Sequence, residues 1–287
     1  KDKSLLKKAT IYVSLEPCSH FGKTPPCCDL IIQSGIPNVV IGTVDPNIQV
    51  AGNGIKKLIE AGINVTVGVL EAECYELNKR FFTFHEKKRP YIILKWAESQ
   101  DGFIAPDEKE IKKPVWITNQ YSRQLVHKWR SEEQAILVGT QTVIDDNPKL
   151  DVRDWSGNNP IRIVLDANHR IPKESHLFDN HIKTIVICKE SDIINTENCI
   201  FECIDFESNI ATQVSKILYK HQVQSVIIEG GRQTLQTFID ADMWDEARIF
   251  KGMSLIENGI KAPDFILKQN VTQTVCTDKL VITRKHD

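Results

Sequence analysis

Short apolar runs alternate with amphipathic runs through the first third of the chain. Three of the apolar runs are rich in β-branched residues and predict strands at residues 9–15, 38–43 and 64–69. Between them, helical periodicity predicts helices at residues 26–34 and 55–61. A strand, helix, strand, helix, strand order at this spacing favours crossover connections on one sheet, with helices on its faces.

The pattern changes near residue 90. Residues 71–84 predict a helix, and the polar tract 85–89 before Pro90 predicts a linker. We therefore expect two domains, residues 1–89 and 90–287. In the second domain the predicted strands are residues 91–97, 135–138, 161–165, 184–188, 225–229, 247–251 and 280–284. The predicted helices there are residues 119–131, 209–221 and 232–240. Both domains are therefore α/β, and the second has the larger sheet.

Composition narrows the class of protein. The 287 residues are 41% apolar and 26% charged, which excludes disordered and fibrous proteins. The 36 basic and 38 acidic residues give a net charge of −2, which argues against nucleic-acid binding. No apolar run approaches the roughly 18 residues of a membrane helix, so we expect no membrane partner. Eight cysteines in a chain this long indicate a reducing compartment, and we expect the cytoplasm.

The sharpest local signal is E-P-C-S-H-F-G-K-T-P-P-C-C at residues 16–28, between the first predicted strand and helix. Cys18 and Cys27 are nine residues apart, and prolines restrict the loop that joins them. The predicted helix start at Cys27 favours thiolate, the form that binds zinc. We expect Cys18 and Cys27 to be zinc ligands, since bound zinc activates water for attack on an aminopyrimidine ring. The alternative is that two buried cysteines are close by chance.

This segment resembles the zinc-dependent cytidine-deaminase-like fold, whose members carry H-x-E on one helix and P-C…C on the next. Within that fold it is similar to the deaminase half of the bifunctional deaminase and reductase family of riboflavin biosynthesis. Two further motifs are similar: D-P-N-x-x-V-x-G-x-G at residues 45–54, with the turn at Ala61, and L-N-x-x-F-F…R-P at residues 77–90. The resemblance implies a zinc-dependent deaminase domain at residues 1–89.

The sequence contains no H-x-E motif. In the family, this motif carries the third zinc ligand and the proton-shuttling glutamate, upstream of the position of Ala9. Because the first residue is a lysine and a strand is predicted almost at once, we expect upstream sequence to be missing. The alternative is that this copy has lost deaminase activity. His20 matches a substrate neighbour in the family and His85 lies in the predicted linker, so we expect neither to replace the missing ligand.

Four motifs beyond Pro90 resemble the reductase domain of the same family, which has a dihydrofolate-reductase-like fold. They are L-K-W-A-x-S-x-D-G at residues 94–102, W-I-T at 116–118, A-I-L-V-G-T-Q-T-V-I-D-D-N-P-x-L-x-V-R at 135–153 and E-G-G at 229–231. Neither G-x-G-x-x-G nor G-x-x-x-x-G-K-[ST] occurs, so a Rossmann or P-loop site has no support. The expected fold class is α/β, with a partial cytidine-deaminase-like domain followed by a dihydrofolate-reductase-like domain.

Some of these residues suggest phosphate chemistry on physical grounds. The tripeptide at 229–231 ends a predicted strand before a predicted helix, where backbone N–H groups suit a phosphate and glycine permits close approach. The alternative is an ordinary turn. Arg130 and Arg153 carry guanidinium groups that bind phosphate bidentately. Asp145 and Asp146 are predicted in a loop, where adjacent carboxylates are usually solvated.

Residue-by-residue matching to the family implies two sets of contacts. The NADPH contacts are Ala97, Trp116, Thr142, Asp146 and Gly231. The contacts to the ribosylamino-pyrimidine phosphate are Arg130, Leu150, Arg153 and Glu229, with Lys95 close by. Without the resemblance, Trp116 would be assigned as an ordinary core aromatic. The charged tract 107–113 is expected to be a solvated loop.

The resemblance implies an enzyme that transfers hydride from NADPH to C1 of the ring-opened ribose of 5-amino-6-(5-phosphoribosylamino)uracil, giving a ribityl chain. A proton reaches the sugar oxygen from Asp146, Lys95 or a bound water, and the sequence does not choose. Two alternatives stay open: a reductase whose first half is a zinc-stabilised scaffold, and a non-catalytic assembly subunit. The family also implies a homo-oligomer that acts on a small-molecule substrate.

Overall fold

Parallel strands dominate both halves of the chain. The computed structural model describes residues 3–22, 24–47, 51–107, 115–267 and 269–285. Residues 1–89 and 90–287 form separate units, each with its own sheet and helices. The predicted solvated loop at 107–113 lies, apart from the exposed Asp107, outside the described residues.

The first unit is a parallel sheet with helices in its crossovers. Its strands are β1 (Thr10–Leu15), β2 (Asn38–Thr43) and β3 (Asn64–Val67), and its helices are α1 (Cys27–Gln33), α2 (Asn53–Glu60), α3 (Glu71–Leu77) and α4 (Lys79–Lys87). The strand order is β1-β2-β3, and both strand pairs are parallel, so the predicted crossover arrangement is confirmed. Ile31 of α1 and Leu58 of α2 share a buried core with Ile41 of β2. A 3-10 helix at Lys3–Lys8, which no sequence pattern predicted, precedes β1.

The prediction of one helix at 71–84 followed by a linker at 85–89 is wrong. Asn78 has a non-helical backbone conformation and separates α3 from α4. The second helix then continues through the half-buried His85, whose ring lies 4.3 Å from the Phe81 ring one turn earlier. The polar residues that follow are the solvent-facing end of a helix, which polarity alone does not distinguish from a linker.

The second unit contains more elements than the sequence predicts. Its strands are β4 (Tyr91–Glu98), β5 (Phe103–Pro106), β6 (Ala135–Gly139), β7 (Ile161–Leu165), β8 (Thr184–Cys188), β9 (Cys199–Cys203), β10 (Ser225–Ile228), β11 (Glu246–Lys251), β12 (Gly259–Lys261), β13 (Asn270–Val275) and β14 (Asp278–Arg284). Its helices are α5 (Gln120–Glu132), α6 (Thr140–Asp146), α7 (Ile210–Lys220) and α8 (Arg232–Asp240), and a 3-10 turn spans His176–Phe178.

The strand order of the large sheet reverses at its centre. The order is β13-β14-β11-β4-β10-β6-β7-β8-β9, and β14 runs antiparallel to both of its neighbours while the remaining pairs are parallel. From β4 the chain moves outward through β6 to β9, and β10 then returns between β4 and β6. Such a reversal leaves a crevice at the carboxyl ends of the strands, the usual ligand position in open α/β sheets.

Burial explains which strands the sequence reveals. Ile92, Leu94, Leu137 and Val226 are fully buried, as expected for central parallel strands covered on both faces. The unpredicted strands β5, β9, β12 and β13 are only partly buried or exposed. They are held by backbone pairing to a neighbouring strand, and this pairing leaves no apolar pattern in the sequence.

Asp278, at the start of β14, fixes the N-terminus of α5. Its carboxylate accepts hydrogen bonds from the Asn119 backbone N–H at 2.9 Å and the Ser122 hydroxyl at 2.6 Å. Asn119 also caps the helix, because its side-chain oxygen accepts from the backbone N–H groups of Tyr121 and Ser122. Asp278 is 2% exposed, so water cannot replace these bonds. The β13–β14 hairpin thereby determines where α5 begins.

Replacing Asp278 with alanine is expected to destabilise the second unit by about 3 kcal/mol, because two donors lose a buried charged acceptor. All five tryptophans lie beyond residue 90, so their fluorescence during urea unfolding reports on that unit alone. The control, Asp192→Ala, removes an exposed carboxylate and is expected to change the unfolding free energy by less than about 0.5 kcal/mol. Equal unfolding free energies for the two variants would contradict the assigned role of Asp278.

Candidate active site

A cavity of about 830 Å³ opens at the carboxyl ends of β4, β10 and β6. Its volume is typical of a cofactor or substrate site. Every residue that the sequence assigns to the reductase site lines it. These residues are Lys95, Ala97, Trp116, Arg130, Thr142, Asp146, Leu150, Arg153, Glu229 and Gly231. The structure therefore brings together side chains that are spread over more than 130 positions of the sequence.

Regular secondary structure positions several of these side chains. Lys95 and Ala97 are two residues apart on β4, so both lie on the same face of the sheet. Thr142 and Asp146 are four residues apart on α6 and share one side of that helix. Arg130 comes from the last turn of α5. Strands and helices hold these groups more rigidly than loops would.

The prediction that Asp145 and Asp146 lie in a loop is wrong. Both belong to the last turn of α6. This helix begins at Thr140, directly after Gly139 ends β6. Val143 is the buried residue of this helix, so the sequence shows no apolar periodicity there. Gln141 donates a hydrogen bond to Asp145 at 2.8 Å, an i,i+4 contact along the helix.

Lys95, Glu229 and Arg130 form a buried charge cluster in the cavity wall. Arg130 Nη2 lies 2.8 Å from Glu229 Oε2, and Lys95 Nζ lies 3.9 Å from the same oxygen. Burial alone raises the pKa of Glu229, but the two cations outweigh it and lower this pKa to about 2. Burial lowers the pKa of Lys95, and the carboxylate of Glu229 opposes that shift only in part. The site therefore holds a carboxylate beside an ammonium group that releases its proton more readily than usual.

The hydrogen bonding of this cluster is incomplete within the described part of the chain. Arg130 Nε and Glu229 Oε1 are both buried and neither has a hydrogen-bond partner there. Buried polar atoms are nearly always paired, and an unpaired donor and acceptor in a cavity wall mark a place for ligand polar groups. A sugar, which carries both hydroxyl donors and acceptors, suits this pair.

The start of α8 fits the pyrophosphate of a dinucleotide. Gly231 is the N-cap, and no side chain caps the free backbone N–H groups of this helix. A side chain at Gly230 would place its Cβ 2.5 Å from Thr234 Cβ, and one at Gly139 would lie 2.5 Å from Thr234 Oγ1. Glycine is therefore required where β10 and β6 end beside the cavity. Uncapped N–H groups and the positive helix end favour a phosphate there.

Two other predicted residues have unusual environments. Trp116 is 56% exposed and lines the cavity, so the alternative of an ordinary core aromatic is wrong. Leu150 is buried with φ at +52°, a left-handed conformation that is strained for leucine. Such strain is maintained only where surrounding contacts determine the backbone, and it is common at ligand sites.

Sequence reasoning assigned no role to Arg123 and His127, which also line the cavity. His127 Nδ1 accepts a hydrogen bond from the Arg153 backbone N–H at 3.4 Å, and its Nε2 lies 3.4 Å from an Asp154 carboxylate oxygen. Burial, with the nearby arginines, lowers the pKa of His127. Arg123, His127 and Arg130 are spaced as one face of a helix, and this spacing could have identified the first two.

The cysteine loop of the first unit brings its two predicted ligands together. The backbone N–H of Cys27, at the start of α1, donates to Cys18 Sγ at 3.4 Å. Burial and the adjacent Cys18 raise the pKa of Cys27, so the helix start alone does not make this thiol a thiolate, and the zinc-bound thiolate stays a prediction. Cys28 is fully buried and donates to the Pro17 carbonyl oxygen at 3.1 Å, which makes it a packing residue.

Glu16 holds this loop in place. Glu16 is 3% exposed, and its carboxylate accepts hydrogen bonds at 2.8–3.2 Å from the backbone N–H groups of Asp45, Gly52, Gly54 and Ile55. The loop after β1 is thus fixed to the start of α2. A carboxylate with this many N–H donors is stable when buried.

The two sulfurs do not complete a zinc site by themselves. Across the ranges that the structure describes, no group of three His, Cys, Asp or Glu side chains is placed to hold a metal ion. A catalytic zinc requires three protein ligands and an open position for water. The described residues thus place two sulfurs together at this loop and no third ligand beside them.

Comparison with known proteins finds a matching protein family for each of the two units. Residues 90–255 match the family model of the RibD C-terminal domain, and residues 1–43 match that of the cytidine and deoxycytidylate deaminase zinc-binding region. The protein thus joins an NADPH-dependent reductase domain to a segment that matches the zinc-binding region of deaminases. It belongs to the RibD family of riboflavin biosynthesis.

Two relatives and one solved structure illustrate the similarity. The riboflavin biosynthesis protein RibD of Aquifex aeolicus is 39% identical over 273 residues, covering 91% of this chain and 76% of that protein. RibD of a Synechocystis strain is 40% identical over 230 residues, covering 78% of this chain and 62% of that protein. The diaminohydroxyphosphoribosylaminopyrimidine deaminase/5-amino-6-(5-phosphoribosylamino)uracil reductase of Thermotoga maritima has a TM-score of 0.82 and 34% identity, covering 96% of this chain and 79% of that one.

Glu229 is expected to stabilise the second unit in a pH-dependent way. Its pKa is about 2 in the folded protein and 4.5 ordinarily, so the unfolded chain binds a proton at pH values where the folded carboxylate stays charged. The stabilisation, about 3 kcal/mol, is present above pH 4.5 and is lost as the pH falls towards 2.

Unfolding free energies measured by tryptophan fluorescence over this pH range test the assignment. In Glu229→Gln the dependence on pH is expected to be shallower than in the wild type, by up to about 1.4 kcal/mol per pH unit. Glu197→Gln, at an exposed position, is the control and is expected to follow the wild type. Identical slopes for Glu229→Gln and the wild type would contradict the depressed pKa.

Proposed function

We propose that residues 90–287 catalyse the NADPH-dependent reduction of the ribosyl chain of 5-amino-6-(5-phosphoribosylamino)uracil to a ribityl chain. The observation that carries this proposal is a single cavity in which an uncapped helix start lies beside the buried cluster of Lys95, Glu229 and Arg130. The first feature suits a dinucleotide phosphate, and the second suits a polar sugar. The similar protein of Thermotoga maritima is a 5-amino-6-(5-phosphoribosylamino)uracil reductase.

Two groups of side chains have separate binding roles in this proposal. When bound, NADPH supplies the hydride. Its contacts are Ala97, Trp116, Thr142, Asp146 and Gly231. The contacts to the phosphorylated sugar are Arg130, Leu150, Arg153 and Glu229. Because all nine line one cavity, they can orient the sugar carbon against the nicotinamide and exclude water.

Lys95 is the proposed proton donor, with Asp146 as the alternative. Ring opening of the ribose leaves an oxygen that takes up a proton, while hydride is transferred to C1. Burial lowers the pKa of Lys95, so its ammonium group gives up a proton more readily than a solvated lysine. Glu229, 3.9 Å away, holds the Lys95 side chain at the cavity wall.

Replacing Lys95 with glutamine is expected to lower kcat by a factor of about 100 to 10,000 while NADP⁺ binding is retained, because the donor is lost and the cofactor contacts are not. The assay follows NADPH oxidation with the phosphoribosylamino-uracil substrate. Lys128→Gln is the control, since Lys128 lies on α5, pairs with Glu132 and does not line the cavity. Wild-type kcat in Lys95→Gln would exclude Lys95 as the donor, and absence of turnover in the wild type would exclude the proposed function.

For the first unit, we propose that Cys18 and Cys27 are two of the three protein ligands of a deaminase zinc. The third ligand and the proton-shuttling glutamate belong to an H-x-E segment, which this sequence does not contain. The alternative is a scaffold without deaminase activity. The Cys27 backbone N–H donates to Cys18 Sγ at 3.4 Å, so the two cysteines lie side by side, as a shared metal requires.

This sequence alone is expected to release no ammonia from the diaminopyrimidine, because two ligands do not make a catalytic zinc site. The same chain extended by an upstream H-x-E segment is expected to bind one equivalent of zinc and to deaminate. Cys18→Ser in the extended chain is expected to lose both properties, whereas Cys203→Ser, an exposed thiol of the second unit, is expected to keep them. Zinc analysis and ammonia release are the measurements. Deamination by the unextended chain would contradict the assignment.

We also propose that the protein acts in the cytoplasm as a homo-oligomer. All eight cysteines lie in described residues and none forms a disulfide, which is typical of a reducing compartment. Among the described residues, no helix is long and apolar enough to cross a membrane. Sedimentation of the purified protein measures the oligomeric state.

A further inference from the structure

Arg123 presents a flat cationic surface to the cavity. Its guanidinium carbon lies 4.4 Å from the centroid of the Trp116 ring, and both side chains line the cavity. Stacking of this kind fixes the plane of the guanidinium while leaving its N–H edge available. The exposed Trp116 ring therefore acts as a support for Arg123 at this wall.

Arg123 differs from the other cavity arginines in its charge partners. Each of the other three forms an ion pair with a carboxylate. These pairs are Arg130 with Glu229 at 2.8 Å, Arg153 with Asp151 at 2.6 Å and Arg232 with Asp264 at 2.7 Å. Within the described ranges, the Arg123 side chain makes no hydrogen bond or ion pair, and its guanidinium contacts only the Trp116 ring. A partly buried guanidinium with unused donors in a cavity is suited to an anionic ligand.

Helix geometry places Arg123 away from the charge cluster. It lies seven residues before Arg130 on the same face of α5, which is about 10 Å along the helix axis. The two guanidinium groups therefore face different parts of a bound ligand. His127, between them, is buried and has a lowered pKa, so it adds no fixed positive charge to Arg123's surroundings near neutral pH.

We propose that Arg123, supported by Trp116, is a binding subsite for a phosphate monoester. This inference rests on the proposed reductase function, which offers two sources of that group in the same cavity. One is the 2′-phosphate that distinguishes NADPH from NADH, and the other is the 5′-phosphate of the sugar substrate. Arginine matches either one, because its planar fork donates two parallel hydrogen bonds to phosphate oxygens.

The experiment compares Arg123→Gln with the wild type by calorimetric titration of four ligands. They are NADP⁺, NAD⁺, the phosphoribosylamino-uracil and the same compound without its phosphate. Loss of a charged bidentate contact is expected to weaken the binding of one phosphate-bearing ligand, NADP⁺ or the phosphorylated substrate, about 10- to 100-fold. The affinity for the corresponding ligand without that phosphate is expected to stay unchanged. Lys128→Gln removes a charge from α5 outside the cavity and is the matched control. Arg123→Lys is expected to recover part of the affinity, because it restores the charge without the fork.

The outcomes distinguish the cofactor phosphate from the sugar phosphate, and failure of the Arg123 subsite from failure of the reductase function. Weaker binding of NADP⁺ with unchanged NAD⁺ assigns the subsite to the cofactor 2′-phosphate. Weaker binding of the phosphorylated substrate alone assigns it to the sugar phosphate. If the wild type binds and turns over its substrates and Arg123→Gln binds all four ligands as tightly, the Arg123 subsite is overturned while the reductase function stands. If the wild type binds none of them, both proposals fall.

Discussion

The contact of Lys95 and Arg130 with one oxygen of Glu229 is the constraint on which the site depends. Each residue comes from a different part of the second unit: β4, α5 and the end of β10. A buried carboxylate is tolerated only when paired, so these three parts must meet for the unit to be stable. They meet because β10 returns next to β4 in the sheet, with Ile228 paired to Leu94. The topology and the charge cluster therefore support each other.

Helix α5 connects this cluster to the rest of the cavity. Asp278 and Asn119 fix its first turn, and the pair of Arg130 with Glu229 fixes its last. With both ends held, the face between them has little freedom to rotate. Arg123 is thereby presented to the cavity in a defined position, although it has no acidic partner among the described residues. A paired arginine at one end and an unpaired one at the other give the helix a structural and a ligand-binding role.

The sequence predicted the central strands well because parallel strands buried on both faces leave continuous apolar runs, as in residues 135–138. It did not predict β13, which is exposed and depends on pairing with β14, or α6, where Val143 is the buried residue. The family resemblance predicted which residues belong to the cavity. The contacts between them, such as that of Arg130 with Glu229, are visible only in the folded structure. Helical spacing places Arg123 on the same face as Arg130, but the lack of a side-chain partner for its guanidinium is visible only in the three-dimensional structure.

The central claim is that one cavity holds a nicotinamide and a phosphorylated sugar close enough for direct hydride transfer. The most direct measurement is the mass of the reduced pyrimidine formed from NADPH stereospecifically deuterated at C4 of the nicotinamide. The account predicts that one of the two deuterated cofactors gives a product carrying a single deuterium on the ribityl chain, and that the other gives none. Two outcomes would contradict it: product without deuterium from both deuterated cofactors, or product that takes up deuterium at C1 when unlabelled NADPH is used in deuterated water.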